Sequence, residues 1–184
     1  MLPTAKSDNP YLEKTKHWLE AAVIGLNLCP FAKAPAAKGE IRYVVSQARD
    51  TQELTGQLAE ELALLSASPE IETTLLIHPF VLTDFEEYNL YLDTADDVLD
   101  ELELTGEIQI ASFHPQYQFA GTAADSPENN TNRSPYPLLH LLREASVEKA
   151  IQSGQDTDRI VARNIETMNA LGHDGWEQLM KRTT

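Results

Sequence analysis

The chain has 184 residues, 42% of them hydrophobic and 23% charged, which suits one ordinary domain with a real core and excludes a disordered or disulfide-stapled chain. A formal net charge of −15 and a pI near 4.6 exclude broad electrostatic attraction to nucleic acid or to anionic membranes, since both would repel it. One cysteine excludes an intramolecular disulfide and suits a reducing compartment.

No apolar run approaches the roughly 20 residues that span a bilayer, and the N-terminus lacks an apolar signal core. The expectation is a cytoplasmic single domain over residues 1–184 with residues 1–9 flexible. Asn9 before Pro10 starts a first helix, because asparagine caps free amides and proline is tolerated in the first turn. Leu12, Leu19, Ala22, Val23 and Leu26 follow at helical spacing, and the helix ends near Leu28, before Pro30. The stretch FAKAPAAKGE reads as a connection. IRYVVSQA reads as a strand, and Asp50 with Glu53 gives a capping-box spacing that opens a helix carrying Leu54, Leu58, Leu62 and Leu65.

TTLLIHPF supplies a second strand. Thr83 and Glu86 repeat the capping-box spacing before a third helix with Tyr88, Tyr91, Ala95, Val98, Leu99 and Leu102 on one broad side. EIQIASFH is the third strand, followed by the polar stretch GTAADSPENNTNRSP and by helices near residues 137–151, 157–171 and 175–181. Strand, helix, strand, helix, strand is the order of crossover units. It predicts a small three-layer α/β fold with a mostly parallel three-stranded sheet and additional C-terminal helices. The alternative is an α+β fold with one antiparallel strand.

On the parallel reading, His78 and His114 stand at equivalent places, each at the carboxyl end of a strand and each before a proline. Open α/β sheets place their ligands at that edge, and the prolines turn the chain out of the ladder. Either imidazole could serve as an acid-base group or a ligand; otherwise both merely end strands, bonded to nearby backbone. Cys29, in NLCPF, could pair with a histidine as an auxiliary thiol. Its place at the negative end of a helix dipole argues instead for a structural cysteine. His78, His114 and Cys29, joined by Asp125 or Glu128, are candidate ligands for a transition metal such as zinc, although no tight metal-binding spacing supports them.

Arg133 is the only lysine or arginine between Ala111 and His140, in a polar loop long enough to suggest function. It could anchor a carboxylate or phosphate, with Asn130 and Asn132 adding amide contacts, or it could pair with Asp125 or Glu128 to order the loop. Tyr117 and Phe119, alternating with glutamines, could wall an apolar pocket or pack in the core. His17, His140 and His173 read as surface or core histidines. Walker, dinucleotide-fingerprint, nucleophile-elbow and zinc-finger motifs are absent from the sequence.

At NLCPFAK, SFHPQYQFAG and NRSPYPLLHLLRE the chain resembles a bacterial family known as domain of unknown function 1415, over a stretch from the first helix into the penultimate one. The resemblance implies a stand-alone bacterial cytoplasmic protein and carries over no activity, substrate or cofactor. The leading expectation is a small-molecule enzyme or ligand-binding domain with a His/Cys/Arg site at the strand carboxyl edge and a small anionic ligand. The competing one is an acidic interaction module that binds a basic protein partner.

Overall fold

The computed structural model describes residues 9–152 and 157–181; of the expected flexible N-terminus, residues 1–8 lie outside these. Helix α1 (Pro10–Trp18) runs directly into a π-helical turn (Leu19–Ile24). There follow α2 (Lys33–Lys38), β1 (Ile41–Val45), α3 (Thr51–Ala67), β2 (Thr73–Ile77), α4 (Phe85–Glu101) and β3 (Ile108–Phe113). A 3-10 turn (Pro127–Asn132), β4 (Leu138–Arg143), α5 (Glu144–Gln152) and α6 (Thr157–Lys181) complete the order. Helix α6 is broken at Gly172, whose φ of 64° lies in the left-handed region that glycine tolerates. The break separates the two C-terminal helices that the sequence suggests.

Helix starts follow the local chemistry. The Asn9 side chain accepts from the Tyr11 N–H at 3.0 Å. Asp50 accepts from the Glu53 N–H at 2.9 Å, while the Glu53 carboxylate accepts from the Arg49 N–H at 2.8 Å. Helix α4 is capped by Asp84 rather than Thr83, its carboxylate taking the N–H groups of Glu86 and Glu87. The stretch read as a plain connection contains the short helix α2, which ends on Gly39 in the left-handed conformation.

The sheet has the order β1-β2-β4-β3. β1 and β2 are parallel, and β4 is antiparallel to both its neighbours. The expected three-stranded, mostly parallel sheet is therefore corrected to a four-stranded mixed one, within a mixed α/β fold. The error lay in LLHLLR, assigned to a helix over 137–151. Leucines at 138, 139, 141 and 142 satisfy helical spacing, but here they form a strand buried on both faces, which reads as a continuous apolar run. Two antiparallel pairings through β4 leave β1, β2 and β3 pointing the same way, so β2 and β3 still end at one edge.

Alternation along the strands splits the core in two. Leu76, Leu139, Leu141 and Ile108 pack under Leu54, Leu58, Leu62 and Leu65 of α3 and Tyr88, Tyr91, Val98 and Leu99 of α4. On the opposite face Leu75, Ile77 and Leu138 meet Trp18, Leu19, Ala22 and Val23, with Trp176, Leu179 and Met180 of α6 beside them. Each fully buried leucine contributes about 2 kcal/mol of hydrophobic transfer energy. The Arg143 side chain closes the end of α3 by donating to the carbonyls of Leu65, Ser68 and Ile71. Among the described residues no helix is long and apolar enough to cross a membrane.

The π-helical turn depends on Gly25. Its N–H reaches back to the Glu20 carbonyl at 2.9 Å, and a Cβ at this position would run into the Ala21 carbonyl oxygen. Gly25→Ala is expected to cost about 1–3 kcal/mol through that overpacking, read as a lower urea midpoint; an unchanged midpoint would show that the turn tolerates a side chain.

Candidate ligand-binding site

His78 and His114 leave β2 and β3 on the same face and come together around Tyr88. The Tyr88 ring centroid is 5.8 Å from His78, nearly parallel to it, and 5.0 Å from His114. Both imidazoles are fully buried. His78 Nδ1 lies 3.0 Å from the Val81 carbonyl, and His114 Nε2 lies 3.2 Å from the carbonyl of Leu82. These acceptors place the proton on Nδ1 of His78 and on Nε2 of His114, whose Nδ1 accepts from the Gln116 N–H. Two successive carbonyls of the β2–α4 connection are thus held by the two histidines. Leu82 sits there at φ 56°, a conformation that costs a branched side chain energy unless the surroundings fix it.

Burial pushes the His78 pKa down to about 4, with the neighbouring His114 adding to the effect. His114 is also lowered by burial, against the bond to Leu82. Both rings are therefore neutral at pH 7, and His78 Nε2 is sealed without a partner. The Tyr88 hydroxyl completes the cluster by donating to the Leu138 carbonyl at 2.8 Å and accepting from the Phe113 N–H at 3.0 Å. The arrangement organises backbone at the carboxyl edge.

The polar loop beyond His114 is ordered by its own side chains. Fully buried Asn129 accepts from the Phe119 N–H and the Thr122 hydroxyl and donates to the Ala123 carbonyl. Asn132 donates to the Ser112 carbonyl. Arg133 pairs with neither Asp125 nor Glu128; it donates to the carbonyls of Tyr117 and Ala124 and to the Asn130 amide oxygen. Tyr117 packs on Phe85 and Phe119, which extends the aromatic cluster outward. Arg133 lines two clefts at this edge, one of about 460 Å³ facing Asp84 and Glu86 and one of about 250 Å³ facing the second half of α6.

Cys29 is elsewhere. It packs in the core on the other face of the sheet and lines a cavity of about 420 Å³ at the amino ends of β1 and β2. NLCPFAK and LLHLLRE, remote in sequence, meet there. The walls are Leu19, Phe31, Ile41, Leu75, Leu142 and Val147. His140 lies in the same lining, with a ring nitrogen 2.6 Å from the Thr73 hydroxyl, which itself donates to the Leu141 carbonyl. The threonine proton is thereby committed, so His140 Nε2 must carry the hydrogen and Nδ1 is an acceptor without a partner among the described residues. The residue as a whole keeps 9% exposure, whereas His78 keeps none.

Burial pushes the His140 pKa down to about 4 and the Cys29 thiol up, against the lowering effect of the Phe31 and Ala32 backbone amides. A neutral acceptor and a protonated thiol therefore share an apolar cavity with Lys38, Lys149 and Arg143 opposed by Glu40 and Glu72.

The structure brings together His78 with His114, and Arg133 with Asn130, but places Cys29 across the sheet from the histidine pair. Among the described residues no group of three His, Cys, Asp or Glu side chains could hold a metal ion. Sequence reasoning missed Tyr88 and His140 as site-forming residues. The available signal for His140 was its place inside LLHLL, where a polar ring within a two-face-buried strand must find a partner.

A family model described as "Protein of unknown function (DUF1415)" matches residues 11–178. No curated protein and no solved structure matches the chain.

Proposed function

We propose that this chain, which belongs to the DUF1415 family, is a small-molecule-binding domain whose ligand occupies the cavity at the amino ends of β1 and β2. The observation that carries the reading is a 420 Å³ apolar space with an unpartnered imidazole acceptor in its lining. Ligand pockets combine such a volume with a few placed polar groups. His140 Nδ1 calls for a hydroxyl or N–H on the ligand. At the lining, three cationic side chains against two carboxylates, in a chain of net charge −15, favour a ligand with an anionic end. The ligand class is thus a small, mainly apolar hydroxy acid, and the protonated Cys29 supplies packing rather than a nucleophile.

The test is a thermal titration with 8-hydroxyoctanoate, octanoate and octylamine. At about ten times its dissociation constant a bound probe adds about 1.4 kcal/mol, which raises the midpoint of a chain this size by roughly 3–5 °C. The hydroxy acid is expected to act at the lowest concentration and the amine at the highest. Leu142→Trp, which fills the cavity from a half-buried position, should abolish the response. No response from any probe, or an undiminished response in the filled variant, would refute the reading.

A second reading keeps the acidic surface in view. On α4 the carboxylate of Asp96 is raised by partial burial and then by Asp93, Asp100 and Asp97, and Leu90 on the same helix is 68% exposed. Such a face suits a basic protein partner. Capture of one at low salt that disappears near 0.5 M salt would support this, because screening removes surface attraction over about 4–5 Å at that strength; no capture at either salt would discard it.

A further inference from the structure

We propose that Arg133, Asn130 and His173 form a second binding site, independent of the amino-end cavity, for the oxyanion of a small carboxylate or phosphate. It lies in the cleft of about 250 Å³ between the 3-10 turn and the second half of α6. Three features support it.

The first is the unmet donor capacity of Arg133. A guanidinium carries five N–H groups; three of them reach Tyr117, Asn130 and Ala124, leaving two. All three acceptors are neutral, and none of the described ion pairs involves Arg133. Partial burial penalises that uncompensated charge, a penalty an oxyanion would remove.

The second is Asn130, only 2% exposed. Its Oδ1 is directed to Arg133, which turns the Nδ2 group away from the guanidinium. Among the described residues that NH2 has no acceptor, and the residue lines the cleft. A buried amide donor beside an unpaired guanidinium is the donor pair a carboxylate or phosphate oxygen requires.

The third is the local charge. His173 brings an imidazole and no negative charge, and the single carboxylate among the described lining residues, Glu177, is 2.8 Å from Lys181 Nζ. The cleft on the opposite side of Arg133 instead contains Asp84 and Glu86, which would repel an anion. The α6 side is therefore the one that accepts it.

Trp176 lines this cleft, whereas the other tryptophan, Trp18, is 1% exposed, so intrinsic fluorescence reports occupancy. The full chain would be titrated at neutral pH with succinate and, separately, with inorganic phosphate to roughly 10 mM, a range that resolves millimolar affinity, against sodium chloride at matched ionic strength. A saturable change with either probe is expected, and the stronger of the two identifies which oxyanion the site prefers. Asn130→Asp retains an oxygen for Arg133 but exchanges the amide donor for a carboxylate, and should weaken binding by about tenfold or more. His173→Glu, at an exposed position, cannot act by unfolding the core and should weaken it about tenfold as well. Absence of a saturable change with both probes, or unaltered affinity in His173→Glu, would overturn the proposal.

Discussion

Replacing Tyr88 by phenylalanine is expected to lower the unfolding free energy by about 2–4 kcal/mol, although the ring itself is kept. The hydroxyl donates to the Leu138 carbonyl and accepts from the Phe113 N–H, so its removal strands one acceptor and one donor at the ends of β4 and β3. Each stranded buried group costs about 1–3 kcal/mol. For a chain of this size the midpoint should fall by roughly 5–15 °C. Tyr91→Phe is the matched control: it loses a single hydroxyl contact with Thr55 at 2.8 Å and should cost no more than about 1 kcal/mol. Equal losses in the two variants would show that Tyr88 is a packing residue and does not pin the strands.

Acidification is the second large effect. His78 and His140 each have a folded-state pKa pushed down to about 4 by burial, against an ordinary value of about 6.5 when unfolded. Above pH 6.5 both states are neutral at these positions, and the full stability is present. As pH falls from 6.5 toward 4, the unfolded chain takes up protons that the folded chain refuses, so stability is progressively lost. Each ring can account for about 3 kcal/mol by the foot of that window.

Near pH 4 protonation of carboxylates relieves self-repulsion in a chain of net charge −15, so the informative quantity is the difference between variant and wild type. His140→Phe should lose about 2–3 kcal/mol less than wild type between pH 6.5 and 4.5, measured by urea unfolding. An unchanged slope would mean that His140 is charged, or exposed, in the folded protein.

The helical core was legible because the leucines of α3 repeat on one face and because Asn9 and Asp50 announce helix starts that the hydrogen bonds then make. The shared edge of His78 and His114 was legible too, since it needed only that β2 and β3 point the same way. β4 was not. A strand buried on both faces has no alternation, and LLHLLR offers helix and strand the same leucines. The site that now stands out was hidden for a related reason: Cys29 and His140 line one cavity only because β4 lies beside β2, a pairing across a sequence separation that no local pattern reports. The unpaired charge of Arg133 was equally hidden. Its partners are backbone carbonyls of Tyr117 and Ala124, which carry no residue-type signal, whereas Asp125 and Glu128 were the visible candidates.

The position of β4 also sets a schedule for folding. β1 and β2 can pair as soon as both exist, but among the described residues β3 pairs with β4 alone, and β4 follows it in the chain after the whole polar loop. During synthesis β2 and β3 each present an open edge until Leu138–Arg143 has left the ribosome. Open edges recruit other strands, and non-local pairing is slow. Nascent chains stalled before Leu138 should therefore be prone to aggregate, and insertion of one short strand between two waiting ones becomes the step that commits the molecule to its native form.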